Sequence, residues 1–326
     1  MYAELTEGTP FTLAGARARG CSTKALRGLV AKQEMRRVMQ GVYVAAWVPD
    51  TIEIRARALS LVVPSGAAVC RSAAAWMHGI DARPIGQVSR DPPLEVLVEA
   101  SRSIVERRGI RGYSAVLLEP TEIIEVAGCR VTTTLRTAVD LARVLGRLEA
   151  VATLDQFLHA GLVDLGQFRA EVPRFAGHRG AVQLRFAASV AEPLAESPGE
   201  SWTRVELIDS GLPRPRAQIE LRGIDGTLFH RLDLGYDEVR LGVEYMGIRD
   251  HAGLENRARD EGRERSIERD FGWCLVNLWS DSVLGRRPTA PRQVAEALLT
   301  RGFWLPTAFS RASLVGTELT FGAGVP

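Results

Sequence analysis

Apolar residues recur along this chain with more than one period, and the changes of period mark its elements. In "STKALRGLVAKQE", Ala25, Leu29 and Val30 share one helical face behind Ser22 or Thr23 as N-cap. The preceding "FTLAGARARG" reads as a shorter helix closed by Gly20, so two helices meet across a short turn. "MRRVMQGVYVAA" then switches to the period of a strand, with Met35, Val38, Val42 and Val44 apolar and Gly41 at the turn. Helix, turn, helix and hairpin is the order of a winged helix.

Further along, Thr51 to Val63 and Arg71 to Gly79 read as helices and Leu94 to Val98 as a buried strand. "IIEVAGCRVTT" reads as a hairpin about Gly128, and Leu135 to Leu145 and Leu148 to Leu158 as apolar-periodic helices. Of the polar residues here Arg71, His78 and Asp140 stand out, each expected to be structural or at the surface. "ASVAEPLAESPGES", with Pro193 and Pro198, marks a seam near residue 191. After it, Ser197 caps a helix with Pro198 in its first position and Glu200 three residues past the cap. A meander follows: "RAQIEL", a turn at Gly223 to Gly226, "LFHRLDLGY", a turn at "DEVR", and "LGVEYMG". A charged helix, a strand from Trp273 to Trp279 and a helix from Pro291 close the pattern.

These elements give an α/β (α+β) protein with four parts. Residues 1–50 are a winged helix-turn-helix, 51–190 a mixed α/β middle region, 191–305 a mixed sheet flanked by helices, and 306–326 an irregular tail expected to be draped or partly disordered. At 326 residues the chain is long enough for several cores, and 46% hydrophobic with 25% charged residues is a globular balance. No signal pattern opens it, and its longest uncharged apolar run, Ala58 to Cys70, is interrupted by Pro64 and Gly66. The expectation is a soluble cytoplasmic protein without a membrane partner. The four cysteines are scattered and form no zinc or disulfide pattern.

The net charge of +2 hides an uneven distribution. From Phe11 to Ala46 there are seven basic residues and one acid, Glu34. Thr23, Lys24, Arg27 and Lys32 lie along the second helix, where they would face a DNA groove, and Arg36 and Arg37 on the hairpin would reach phosphates. A solvated basic face or a protein-binding winged helix is the plainer alternative. "STKALRGLVAKQEMRRVMQGVYV", "CRSAAAWMHGI" and "VTTTLRTAVDLARVL" together resemble the AbiEi-type antitoxins of bacteria over about residues 10 to 160. That resemblance implies a DNA-binding head that represses an operon, with double-stranded DNA and a cognate toxin as partners.

Beyond the seam, "RLDLGYDEVRLGVEYMG" sets two acids on neighbouring strands. A tight hairpin centred between Asp237 and Glu238 would pair Asp233 with Gly242 and Arg231 with Glu244, all on one face with Met246. A bulge would break that arrangement. Paired buried carboxylates repel unless a cation lies between them, and Mg²⁺ or Mn²⁺ suits oxygen ligands. The alternative is a simple Arg231–Glu244 ion pair with Asp233 at a solvated edge.

Three stretches resemble, in order and spacing, the PD-(D/E)xK domains related to very-short-patch-repair (Vsr) endonucleases, over about residues 195 to 300. They are "ESPGESWTRVELIDSGLPRPRAQIEL", "RLDLGYDEVRLGVEYMG" and "RDEGRERSIERDFGWCLVNL". The likeness implies a restriction-endonuclease-like sheet with Glu200, Asp233 and Glu244 as metal ligands and His251, Asp260 and Arg263 as further catalytic residues. Two features depart from it. Met246 stands where such sites carry Lys or Asp, and the histidine stands one position late, Asp250 taking its place. The expectation is a DNA-binding protein with a metal-dependent endonuclease-like domain, weakened or silenced at one corner. The alternative is an antitoxin-type repressor whose nuclease fold is dead.

Overall fold

The computed structural model describes residues 7–64, 66–83, 85–86, 94–98, 106–107, 110–114, 117–247 and 254–305. Its architecture is α+β, in two compact units, Met1–Ser189 and Val190–Pro326.

The first unit opens with β1 (Phe11–Thr12), α1 (Leu13–Ala18), α2 (Thr23–Ala31), β2 (Met35–Met39) and β3 (Val42–Ala45). Phe11 and Thr12, expected in the first helix, instead pair with Tyr43 and Val42, giving a sheet of order β1-β3-β2. The Thr12 hydroxyl then caps α1 by accepting from the Gly15 N–H at 3.0 Å, and Ser22 caps α2 from Ala25 at 3.1 Å. Leu26 is the residue α2 buries, with Ala25, Leu29 and Val30 packed half-exposed around it. Met35, Val38, Val42 and Val44 all turn inward.

Then come α3 (Ile52–Ser60), β4 (Ala68–Val69), α4 (Arg71–Met77), β5 (Leu94–Val98), β6 (Glu106–Arg107), β7 (Ile110–Ser114), β8 (Ile123–Val126) and β9 (Cys129–Thr132). The strands form a mixed sheet of order β6-β7-β5-β4-β9-β8, parallel at β5/β7 and β4/β9. Because β5 is buried on both faces, its sequence is apolar apart from Glu95, which is itself buried, and does not alternate. Helices α5 (Thr134–Val144), α6 (Arg147–His159), α7 (Leu165–Glu171) and α8 (Ala181–Val190) complete the unit. One hydrophobic core runs from Phe11 and Leu26 through Leu59 and Met77 to Val96 and Val131.

Arg71, His78 and Asp140, the polar residues that stand out in the middle region, are all engaged in local contacts. Arg136, 2% exposed, donates to Asp140 (2.8 Å), Glu122 (2.9 Å) and the Leu117 carbonyl (2.8 Å). Arg174 binds Glu122 and Glu171 from the other side. His78 is fixed by the Thr132 carbonyl at 2.8 Å, and burial lowers its pKa. Arg71, at a left-handed φ of 50°, lies 3.4 Å over the Tyr113 ring and 4.0 Å from buried Glu95.

The second unit contains α9 (Pro198–Asp209), β10 (Arg216–Arg222), β11 (Leu228–Tyr236), β12 (Leu241–Tyr245), α10 (Leu254–Phe271), β13 (Cys274–Leu278), α11 (Ser280–Leu284) and α12 (Ala290–Thr300). The strands lie in chain order, antiparallel except for the final β12/β13 pair. Helix α12 and the interior of α9 share one core with Leu234, Leu241 and Val243, while Ile267 of α10 packs with Ile219, Leu232 and Trp273.

The strand register differs from the tight-hairpin expectation. Asp237–Val239 forms a 3-10 turn ended by Arg240 at φ 49°, so the loop is longer than two residues. Leu234 pairs with Val243 and Gly235 with Gly242, which brings Asp233 level with Glu244 and moves Arg231 away from it. Arg231 instead pairs with Glu196 at 2.6 Å. The expected single face also fails. Ala217 and Leu234, a register pair, enter one core, whereas Ile219 and Leu232, two residues on, enter the other. Regular alternation would keep both pairs on the same side. The inversion occurs at Gln218, whose φ is 51°.

Candidate functional site

In the first unit, the basic residues of α2 divide by what they touch. Lys24, Arg27 and Lys32 are exposed, and with Gly28 and Ala31 they make an outward face of short and cationic side chains. A Cβ at Gly28 would meet nothing within 4 Å, so this face is open. Thr23 is engaged locally, accepting from Arg17 Nη2 at 2.9 Å and Nε at 3.2 Å. Arg36, expected to reach phosphate, is committed to the backbone: it donates to the Val48 carbonyl at 3.1 Å and to Pro49 at 3.2 Å. The reason is geometric. Beta-strand alternation turns Arg36 toward the segment leaving the hairpin and Arg37 to the exposed side.

In the second unit, four of the six expected catalytic residues gather where the sheet inverts. Glu200 is placed by the Ser197 cap, whose hydroxyl accepts from the Glu200 N–H at 3.2 Å. Gly199 lets that helix end approach β12, since a Cβ there would lie 2.0 Å from the Tyr245 ring. Glu200 is 5% exposed and accepts from the Glu196 N–H at 3.0 Å and from Gln218 Nε2 at 2.8 Å. Its carboxylate therefore does more than close its own helix turn.

Asp233 accepts from the Tyr245 N–H at 3.0 Å, its side chain taking over where backbone pairing stops. Burial pushes its pKa up to about 6; the Tyr245 N–H opposes this, Glu200 and Glu244 add to it, and Arg263 opposes it again. Glu244, 6% exposed, is gripped by Arg263, each guanidinium nitrogen 2.6 Å from one carboxylate oxygen. Arg263 also donates to the Arg231 carbonyl at 3.2 Å. Asp260 belongs to α10, but its side chain lies outside the described residues, as do Asp250, His251 and the tail from residue 306.

Met246 is half-buried, and its N–H donates to the Leu278 carbonyl at 2.8 Å. It contributes no charge. Two residues that the sequence pattern does not single out also belong here. Gln218 looks like one polar position in an alternating strand. Asn277, level with Glu244 on β13, binds Glu264 through its amide N–H, while its buried Oδ1 has no hydrogen-bond partner among the described residues. Pairwise spacing within one segment could reveal neither, because both reach the site from other strands.

The donor set is all oxygen, which suits Mg²⁺ or Mn²⁺ in kind. The arrangement does not suit them. Both Glu244 oxygens face Arg263, and among the described residues no three His, Cys, Asp or Glu side chains are grouped to hold a metal.

Two uncharacterized proteins from two strains of Mycobacterium tuberculosis are each 32% identical to the chain over 248 residues, covering 76% of the chain and 86% of their own length. The chain belongs to their family. Residues 67–187 match the AbiEi antitoxin C-terminal domain, within the first unit, in line with the antitoxin resemblance read from the sequence. The matched segment contains the Arg136–Asp140–Glu122–Arg174 network. Among the described residues no helix is long and apolar enough to cross a membrane.

Proposed function

We propose that this protein is a DNA-binding regulator of the toxin–antitoxin kind, reading duplex DNA with α2 and steadying itself with the β2–β3 hairpin as a wing. The observation that carries this is the outward face of α2, where Lys24, Arg27 and Lys32 flank Gly28 and Ala31. Small residues let a helix backbone approach a groove, and cations at its rim meet phosphates. The AbiEi segment supports the same role and makes a cognate toxin the natural protein partner. Titration of labelled duplex DNA at several salt concentrations tests it. Binding must weaken steeply with salt and fall when Lys24 and Arg27 are replaced by glutamate.

A second reading, a Mg²⁺- or Mn²⁺-dependent endonuclease, is favoured by the approach of Glu200 and Glu244 to Asp233. It requires Arg263 to leave Glu244. Cleavage of plasmid or oligonucleotide DNA that disappears in Asp233→Ala/Glu244→Ala would establish it.

A further inference from the structure

The position beside Glu244 that a divalent cation would take is filled by the protein itself. Glu244 sits on an interior strand, flanked by β11 and β13, with its side chain 8% exposed. A carboxylate there needs a positive partner, because burial without one costs several kcal/mol. Arg263 supplies it in the geometry guanidinium groups favour, two parallel N–H donors on two oxygens, both at 2.6 Å. A third donation, to the Arg231 carbonyl, fixes the guanidinium against β11. A metal ion bound through the same two oxygens would meet this group head-on.

The neighbouring positions agree. Met246, two residues past Glu244, is half-buried and adds no charge of its own. We propose that Arg263 is the resident counter-ion of this site, an internal replacement for a divalent cation, so that the second unit holds its carboxylates in place without metal. Removing the guanidinium should convert an indifferent site into a cation-binding one. This inference bears on the second unit and is independent of DNA binding by α2.

The experiment compares the full-length native protein with Arg263→Gln, measuring thermal unfolding and Mn²⁺ binding by titration calorimetry. The native midpoint should be unchanged by millimolar Mn²⁺. Arg263→Gln should unfold at lower temperature, regain stability as Mn²⁺ is added, and bind the ion at least about tenfold more tightly than the native chain, as expected when a competing charge is removed. Adding Glu244→Gln should abolish that binding. Native protein that binds Mn²⁺ in a Glu244-dependent way would overturn the proposal. So would an Arg263→Gln variant as stable as the native chain and blind to Mn²⁺. If Arg263→Gln does not fold with or without the ion, Arg263→Met decides, since it removes the charge but keeps most of the side chain's apolar length. Glu244-dependent Mn²⁺ binding by that variant supports the proposal, and its absence counts against it. DNA binding through α2 should be the same in all of these proteins, which separates failure here from failure of the regulatory reading.

Discussion

Gln218 donates to the Glu200 carboxylate at 2.8 Å from a backbone held at φ 51° in the middle of β10. For an L-residue other than glycine that conformation costs roughly 1 kcal/mol or more. The strand keeps register on both sides of it, Ala217 with Leu234 and Ile219 with Leu232, so the strain is confined to one residue. Comparing Gln218→Gly with Gln218→Ala isolates it, because both lose the amide and only glycine tolerates the backbone. Gln218→Gly is expected to be more stable than Gln218→Ala by about 1 kcal/mol in urea unfolding. The reverse order would mean the strand is extended through Gln218 in solution.

Arg136 makes a different demand on stability. It is held among Asp140, Glu122 and the Leu117 carbonyl, so its loss strands one buried and one half-buried acid. Arg143 and Arg174 still touch Asp140 and Glu122, which softens the blow. Arg136→Met should cost about 3 kcal/mol of unfolding free energy. Adding Asp140→Leu, which removes one stranded charge, should recover part of it. A single change that is neutral would show that the network contributes nothing net.

Much of this fold can be read from the chain. Ser22 and Ser197 announce their helices and cap them as that residue type does, and the structure adds Thr51 and Thr133 as caps of α3 and α5. The approach of Glu200, Asp233, Glu244 and Arg263 is legible too, although only through a resemblance. Two things are not. The Arg240 turn shifts the β11–β12 register, and the Gln218 conformation inverts the strand faces; neither leaves a local pattern, since Arg and Gln are not residues that advertise a left-handed backbone. Arg36 departs from expectation for a related reason. Its partners, Val48 and Pro49, are carbonyls, and no side-chain spacing reveals a carbonyl acceptor.

Asp233 gives the second unit a pH dependence with a definite sign. Its folded pKa, about 6, lies above the ordinary value of 3.8, so the folded state holds its proton more tightly than the unfolded chain. The stability tied to the protonated form is complete below about pH 4 and is lost as pH rises through about 6. The shift corresponds to roughly 3 kcal/mol, which remaining hydration reduces to about 2. Asp233→Asn keeps an oxygen for the Tyr245 N–H and removes the charge. It should therefore stabilise the protein by about 2 kcal/mol at pH 7.5 and scarcely at all at pH 4. Denaturant midpoints at the two pH values check this, and equal gains at both would refute it.

The first unit offers a test in which two kinds of basic residue separate. Lys24 and Arg27 are exposed on α2, whereas Arg36 is tied to the Val48 and Pro49 carbonyls. If α2 meets DNA, every phosphate left without its cation lowers the slope of log affinity against log salt by about 0.9. Lys24→Ala/Arg27→Ala should thus reduce the slope by about 2 and leave thermal stability untouched. Arg36→Ala should do the opposite, lowering stability by about 1 kcal/mol through the missing hydrogen bonds while the salt slope stays the same. Fluorescence anisotropy across a salt series, with melting curves on the same samples, reads both quantities. An unchanged slope in the double variant would remove α2 from the DNA interface, and a slope that falls in Arg36→Ala would show that the arginine leaves its carbonyls to bind phosphate.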